Sequence, residues 1–151
     1  MKRIIATVLS LLITSSVFAG HHEDPNMAEI KAVYRSYVDH FINKDYQGIP
    51  KHFQAPLVQR MAQGTMVSED AAAISRTYKN YMDNIQDGYK YSQIDRLDVT
   101  LITESLYYAD VDISRYNGKD EVLYQGRSIY FFSNKDGAWK IFAMEQVKDK
   151  P

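Results

Sequence analysis

The sequence predicts an α+β domain in which helices come first and an antiparallel sheet follows. Three observations carry that expectation. Apolar side chains recur at helical three-and-four spacing through residues 27–42 and again through 72–85, the period changes to two from Tyr89 onward, and Asn117-Gly118 and Asp136-Gly137 are hairpin dipeptides between the later runs.

Taken in order, Asp24 followed by Pro25 reads as an N-cap with proline at the first helical position, where its missing N–H costs nothing. Met27, Ile30, Val33, Tyr34, Tyr37, Val38, Phe41 and Ile42 then form one stripe, the first helix. Tyr46, Ile49 and Phe53 predict a shorter second helix, made irregular by Gly48 and Pro50. Residues 54–67 read as a loop with a short strand around 57–61. Ser68 offers a cap for a third helix, Glu69 and Asp70 place negative charge in its first turn, and Asp87-Gly88 ends it. Four strand runs follow, at about 90–104, 105–116, 121–133 and 138–147.

The strands also say which faces are covered. In residues 105–113, Tyr107, Ala109, Val111 and Ile113 alternate with Asp110 and Asp112, so one face is core and the other is wet. Ile129, Tyr130, Phe131 and Phe132 put apolar groups on both faces. The helices cover one face, and the expected cover for the other is a second copy of the chain meeting it sheet to sheet in a homodimer. The alternative is that Tyr130 leans along the surface.

Of 151 residues, 45% are hydrophobic and 25% charged, with 18 basic against 19 acidic groups. That composition fits one globular domain and excludes collagen-like, disordered and many-spanning chains. The absent basic excess makes nucleic acid an unsuitable partner. Having no cysteine, the chain can form no disulfide, thiolate nucleophile or iron–sulfur cluster. Lys2 and Arg3, the apolar run 4–17 and Val17-Phe18-Ala19 have the pattern of a cleavable signal peptide cut after Ala19. The expected product is periplasmic or secreted and not held in a membrane after processing. Its parts are a signal peptide at 1–19, a polar leader at 20–25 and a domain at 26–148. Cleavage there would expose Gly20-His21-His22, a nitrogen set that suits copper(II), although the simpler reading is a solvated leader.

All 12 tyrosines fall after the cut. Tyrosine joins a large apolar ring to one hydroxyl that seeks a partner when buried, so they predict either a sheet covered by aromatic pairs or a pocket lined by rings and hydroxyls. Tyr37 with Val38 and Phe41, then Asp45-Tyr46-Gln47-Gly48-Ile49 and Phe53, then Ala72-Ala73-Ile74 with Tyr78, and finally Asp136-Gly137-Ala138-Trp139-Lys140-Ile141 occur in an order and spacing similar to those of the nuclear transport factor 2-like, or SnoaL-like, superfamily. The resemblance covers nearly all of the chain after residue 19. It implies three N-terminal helices packed on a curved sheet to enclose a conical pocket, where superfamily members carry out isomerisation, dehydration or epoxide hydrolysis. In the ketosteroid isomerase branch a carboxylate base and a pocket acid are needed, and the matching positions here fall near Met61 and Ile129. Neither side chain moves protons.

These readings converge on a small-molecule-binding domain. Tyr37, Phe41, Phe53, Met61 and Tyr78 are the expected lining for a small, partly apolar molecule, with Arg127 either anchoring a ligand carboxylate or pairing with a strand aspartate. No cofactor or metal is called for. One rival is a lyase, isomerase or hydrolase using Tyr37 with His52 or a strand aspartate as base. A second is an interaction module whose cone is filled by its own side chains.

Overall fold

A computed structural model describes residues 24–147. The expected signal peptide, the expected Gly20-His21-His22 leader and residue 148 of the expected domain lie outside them. Helix α1 (Pro25–Ile42) begins where the proline rule places it, with Asp24 Oδ1 accepting from Asn26 N at 2.9 Å. It buries Ile30, Tyr34, Tyr37, Val38 and Phe41 on the predicted stripe. The same Asp24 accepts from Tyr107 Oη at 2.6 Å, and Trp139 Nε1 donates to Asn26 Oδ1, so the helix start is tied to one strand and to the residue just before another.

The expected second helix is a single 3₁₀ turn at Ile49–His52, and Phe53 already begins a strand. The local chemistry explains the correction. Asp45 turns its carboxylate back to accept from Gln47 N and Gly48 N at 3.1 and 2.8 Å, closing a turn rather than opening a helix. Gly48 is needed because a Cβ there would collide with the Asp45 carboxylate and the His40 ring. The described residues therefore form two α-helices, the other being α2 (Ala71–Asp83), which buries Ile74, Tyr78 and Met82. Its cap is Asp70, accepting from Ala73 N at 2.7 Å, rather than Ser68, whose hydroxyl lies 3.2 Å from that of Thr77.

The short strand expected at 57–61 lies within β1 (Phe53–Met61), and the rest of the expected loop is not a loop: β1 forms a hairpin with β2 (Gly64–Ser68). The later strands are β3 (Tyr89–Thr103), β4 (Leu106–Asn117), β5 (Val122–Ser133) and β6 (Lys140–Val147), close to the predicted runs. All six form one sheet in the order β2-β1-β6-β5-β4-β3. It is mixed rather than purely antiparallel, because β1 runs parallel to β6. Their ladder shifts register between Phe53 and Val58, where Pro56 offers no N–H to the neighbour. None of the described helices is long and apolar enough to cross a membrane.

Helices cover the face carrying Tyr107, Ala109, Val111, Tyr130 and Phe132, all buried. On the opposite face, Arg96 donates to Asp98, Asp110 and Asp112 at 2.6, 2.9 and 2.8 Å, and Arg127 forks onto Asp110. Arg127 is thus no ligand anchor in the cone. Alternation sends it outward with Ile129, and its two hydrogen bonds go to Asp110 at 2.8 and 2.5 Å.

Those bonds, Arg127's first, hold the Asp110 carboxyl down at about 2. Since the folded value lies below the unfolded one of about 3.9, this contribution is complete above the unfolded value and is lost as pH falls towards 2. It amounts to at most about 3 kcal/mol. Urea midpoints measured down the acid range should therefore decline more gently in Arg127→Gln than in the parent. Parallel declines would remove Arg127 as the cause.

Candidate functional site

Between α1, α2, the β1–β2 hairpin and the inner face of the sheet lies a half-open cavity of about 710 Å³, within the range of ligand pockets. Tyr34 and Tyr37 reach it from α1, Tyr78 and Tyr81 from α2, and Tyr124 and Tyr130 from β5. Periodicity explains the convergence, because each pair is spaced three residues apart on a helix or at an even interval on a strand.

Tyr37 is the hub. Its ring lies 5.1–6.4 Å from those of Phe53, Tyr34, Tyr78, Tyr130 and Phe41, mostly edge to face. Its hydroxyl interacts with those of Tyr78 and Tyr130, and Tyr34 extends the chain through Tyr130. Burial pushes Tyr34, Tyr37 and Tyr78 well above the ordinary phenol value and raises Tyr130 as well. All four remain neutral hydroxyls at any physiological pH, able to donate but not to act as bases.

Arg115 is the single cation among the residues lining the cavity. Its guanidinium lies 5.0 Å from the centre of the Tyr124 ring and 5.9 Å from that of Phe41, and Nη1 donates to Gln86 Oε1 at 3.0 Å. Tyr124 accepts in turn from Gln146 Nε2 at 3.0 Å. Gly126 makes this placement possible, since a Cβ there would strike the Tyr124 ring and hydroxyl.

Beneath the cavity Gln59 is fully buried; its Nε2 donates to Tyr78 Oη and to Met144 sulfur, both at 3.4 Å, and its Oε1 has no protein partner. An unpaired buried carbonyl costs about 1–3 kcal/mol. Gln59→Leu should accordingly raise the melting temperature by a few degrees, as read by calorimetry. A fall of similar size would mean that the amide's bonds outweigh its orphan oxygen.

Of the predicted lining residues, Tyr37, Phe41, Met61 and Tyr78 border the cavity. Phe53 stands behind them, its ring 5.3 Å from Tyr78, and supports the wall without bordering the space. Arg115 was missed, although it continues the Tyr107–Ile113 row by one step; the pattern had been followed only to residue 113. Ile129 faces outward, while its neighbours Ser128 and Tyr130 border the cone.

The bases considered for an enzyme lie elsewhere. His52 is half-buried beside α1, 3.4 Å from Ser36 Oγ and stacked near His40, and burial lowers its pKa. Asp95, Asp98, Asp110 and Asp112 bond to Ser114, Arg96 and Arg127 away from the cone. The described residues that border the cavity include no carboxylate and no imidazole. No group of three His, Asp or Glu suited to a metal occurs among the described residues.

Residues 28–149 match the family described as NTF2-like protein (DUF6841). The chain belongs to that NTF2-like family. No curated protein matches it. Among solved structures, it is similar to a domain of unknown function with a cystatin-like fold from Nostoc punctiforme PCC 73102, with TM-score 0.68 and 16% identity over 82% of this chain and 77% of that one. An NTF2-like protein of unknown function from Pseudomonas putida KT2440 gives TM-score 0.68 and 15% identity, covering 83% and 88%. A Novosphingobium aromaticivorans protein named provisionally as a scytalone dehydratase gives 0.62 and 15%, covering 83% and 85%. At such identities the likeness establishes the NTF2-like, cystatin-like fold alone.

Proposed function

We propose that this NTF2-like chain is an exported binding domain that holds one small, partly apolar molecule in its cone. The observation that carries the reading is a hollow interior walled by neutral phenols, with carboxylates and imidazoles placed elsewhere. Such a wall offers shape, apolar contact and hydrogen-bond donors, which suit retention of a ligand more than proton transfer. The basic, apolar and small-residue order of the first nineteen positions supports export with cleavage after Ala19. Ile129, Phe131 and Phe142 beside the charged network on the outer sheet face support a homodimer formed through that face.

Native mass spectrometry of the protein purified from its own cells tests both parts. The expected spectrum shows a dimer that releases a small organic molecule on activation. In parallel, the neutral dye Nile red should brighten on binding to the emptied protein, and Ile113→Trp, which narrows the cone, should weaken the signal. A monomeric spectrum removes the dimer. Protein that carries no molecule and takes up no dye has a filled interior, and the binding reading fails.

A further inference from the structure

We infer that the ligand is an apolar carboxylic acid bound as its anion, with the carboxylate seated on Arg115. The inference rests on the binding reading above and narrows it to a chemical class. Three arginines of the sheet make the contrast. Arg96 and Arg127 each fork onto strand aspartates, whereas Arg115 has no carboxylate partner among the described residues. Among the described residues its one hydrogen bond runs from Nη1 to the neutral amide of Gln86, its Nε is buried without an acceptor, and no acceptor meets Nη2. Nε is closed off by its surroundings, whereas Nη2 is open to the cavity and can give a carboxylate oxygen a charge-assisted hydrogen bond. Arg115 is partly buried in the cavity wall and has no counter-ion among the described residues, so a bound anion supplies the missing charge partner.

The setting also selects which anion. Phe41 and Tyr124 lie against the guanidinium and hold it in one plane. Elsewhere on the wall, the Tyr81 hydroxyl is buried without a partner among the described residues, and burial raises its pKa to about 12, so it adds no charge to the cavity. No second cation borders the cavity, so one negative charge is balanced and a phosphate dianion would leave one in excess. The remaining wall, including Val38, Met61, Ile113 and Met144, asks for an apolar body attached to that single charge. A monocarboxylate with a ring or hydrocarbon framework meets all three conditions.

Cinnamate and cinnamamide provide the test, because they share shape and differ in charge. By calorimetry at neutral pH the intact protein should bind cinnamate roughly 10- to 100-fold more tightly than the amide. Arg115→Gln should bring the two to parity, while Arg115→Lys, which keeps the charge but not the planar head held between the rings, should restore part of the gap. The wild-type comparison decides the ligand class even where a variant fails to fold. Equal affinity of wild type for acid and amide overturns the anion assignment and leaves a hollow binding domain standing. Exclusion of both probes together with Nile red overturns the binding reading as well. A preference for cinnamate that survives in folded Arg115→Gln overturns the role of Arg115.

Discussion

Replacing Phe132 with alanine should lower the unfolding free energy by about 3–5 kcal/mol, one of the largest losses any single change in this chain can cause. Phe132 is fully buried on β5, paired across the ladders with Tyr107 of β4 and Ile141 of β6, which are also buried. A strand with ordered neighbours on both sides cannot close over the void, so both the transfer term and the cavity term are lost. For a domain of this size the melting temperature should drop by roughly 10–20 °C in scanning calorimetry. Phe132→Leu keeps most of the volume and should lose well under half as much. A drop of only a degree or two in the alanine variant would mean that the inner sheet face is not the core.

The second large effect is expected at Tyr37, where ring and hydroxyl can be separated. Tyr37→Ala removes the ring that five aromatic neighbours surround, and should cost about 3–5 kcal/mol. Tyr37→Phe keeps the ring and deletes the link between the hydroxyls of Tyr78 and Tyr130, and should cost about 1 kcal/mol. The cavity keeps its shape in the phenylalanine variant, so Nile red uptake should persist there. Equal destabilisation by the two substitutions would show that the hydroxyl chain, rather than ring packing, holds the site together. Urea titration of both variants distinguishes the cases.

Much of this arrangement was legible before any coordinates. The α1 stripe, the strand runs after Tyr89 and the inward row on β4 follow from side-chain period, which acts residue by residue and needs no partner to be read. The aromatic lining was legible for a similar reason, since Tyr37, Phe41 and Tyr78 lie on the apolar faces of strongly periodic helices. The region between the helices was harder. Residues 45–53 carry helix-compatible spacing, yet Asp45 capping its own turn and Gly48 packed under His40 hold it to one 3₁₀ turn. The β1–β2 hairpin was obscured because β1 includes a proline, and because its parallel neighbour β6 lies more than eighty residues away in sequence.

Arg115 and Arg127 divide the two sources of information most sharply. Both are arginines on even-numbered strand spacings, and the sequence alone determines that each side chain lies on one definite face of its strand. Alternation also determines that Asp110 and Asp112 face away from the core row, and composition that the domain has no covalent staple and must rest on its core. Only the tertiary structure decided which guanidinium meets aspartates and which meets a cavity. Strand register and sheet curvature bring Asp110 and Asp112 within reach of Arg127 and Arg96, and leave Arg115 between two aromatic rings with no acid opposite. Period assigns a side chain to a face from local geometry, whereas charge partners are set by which distant strands become neighbours, and that is a property of the folded chain as a whole.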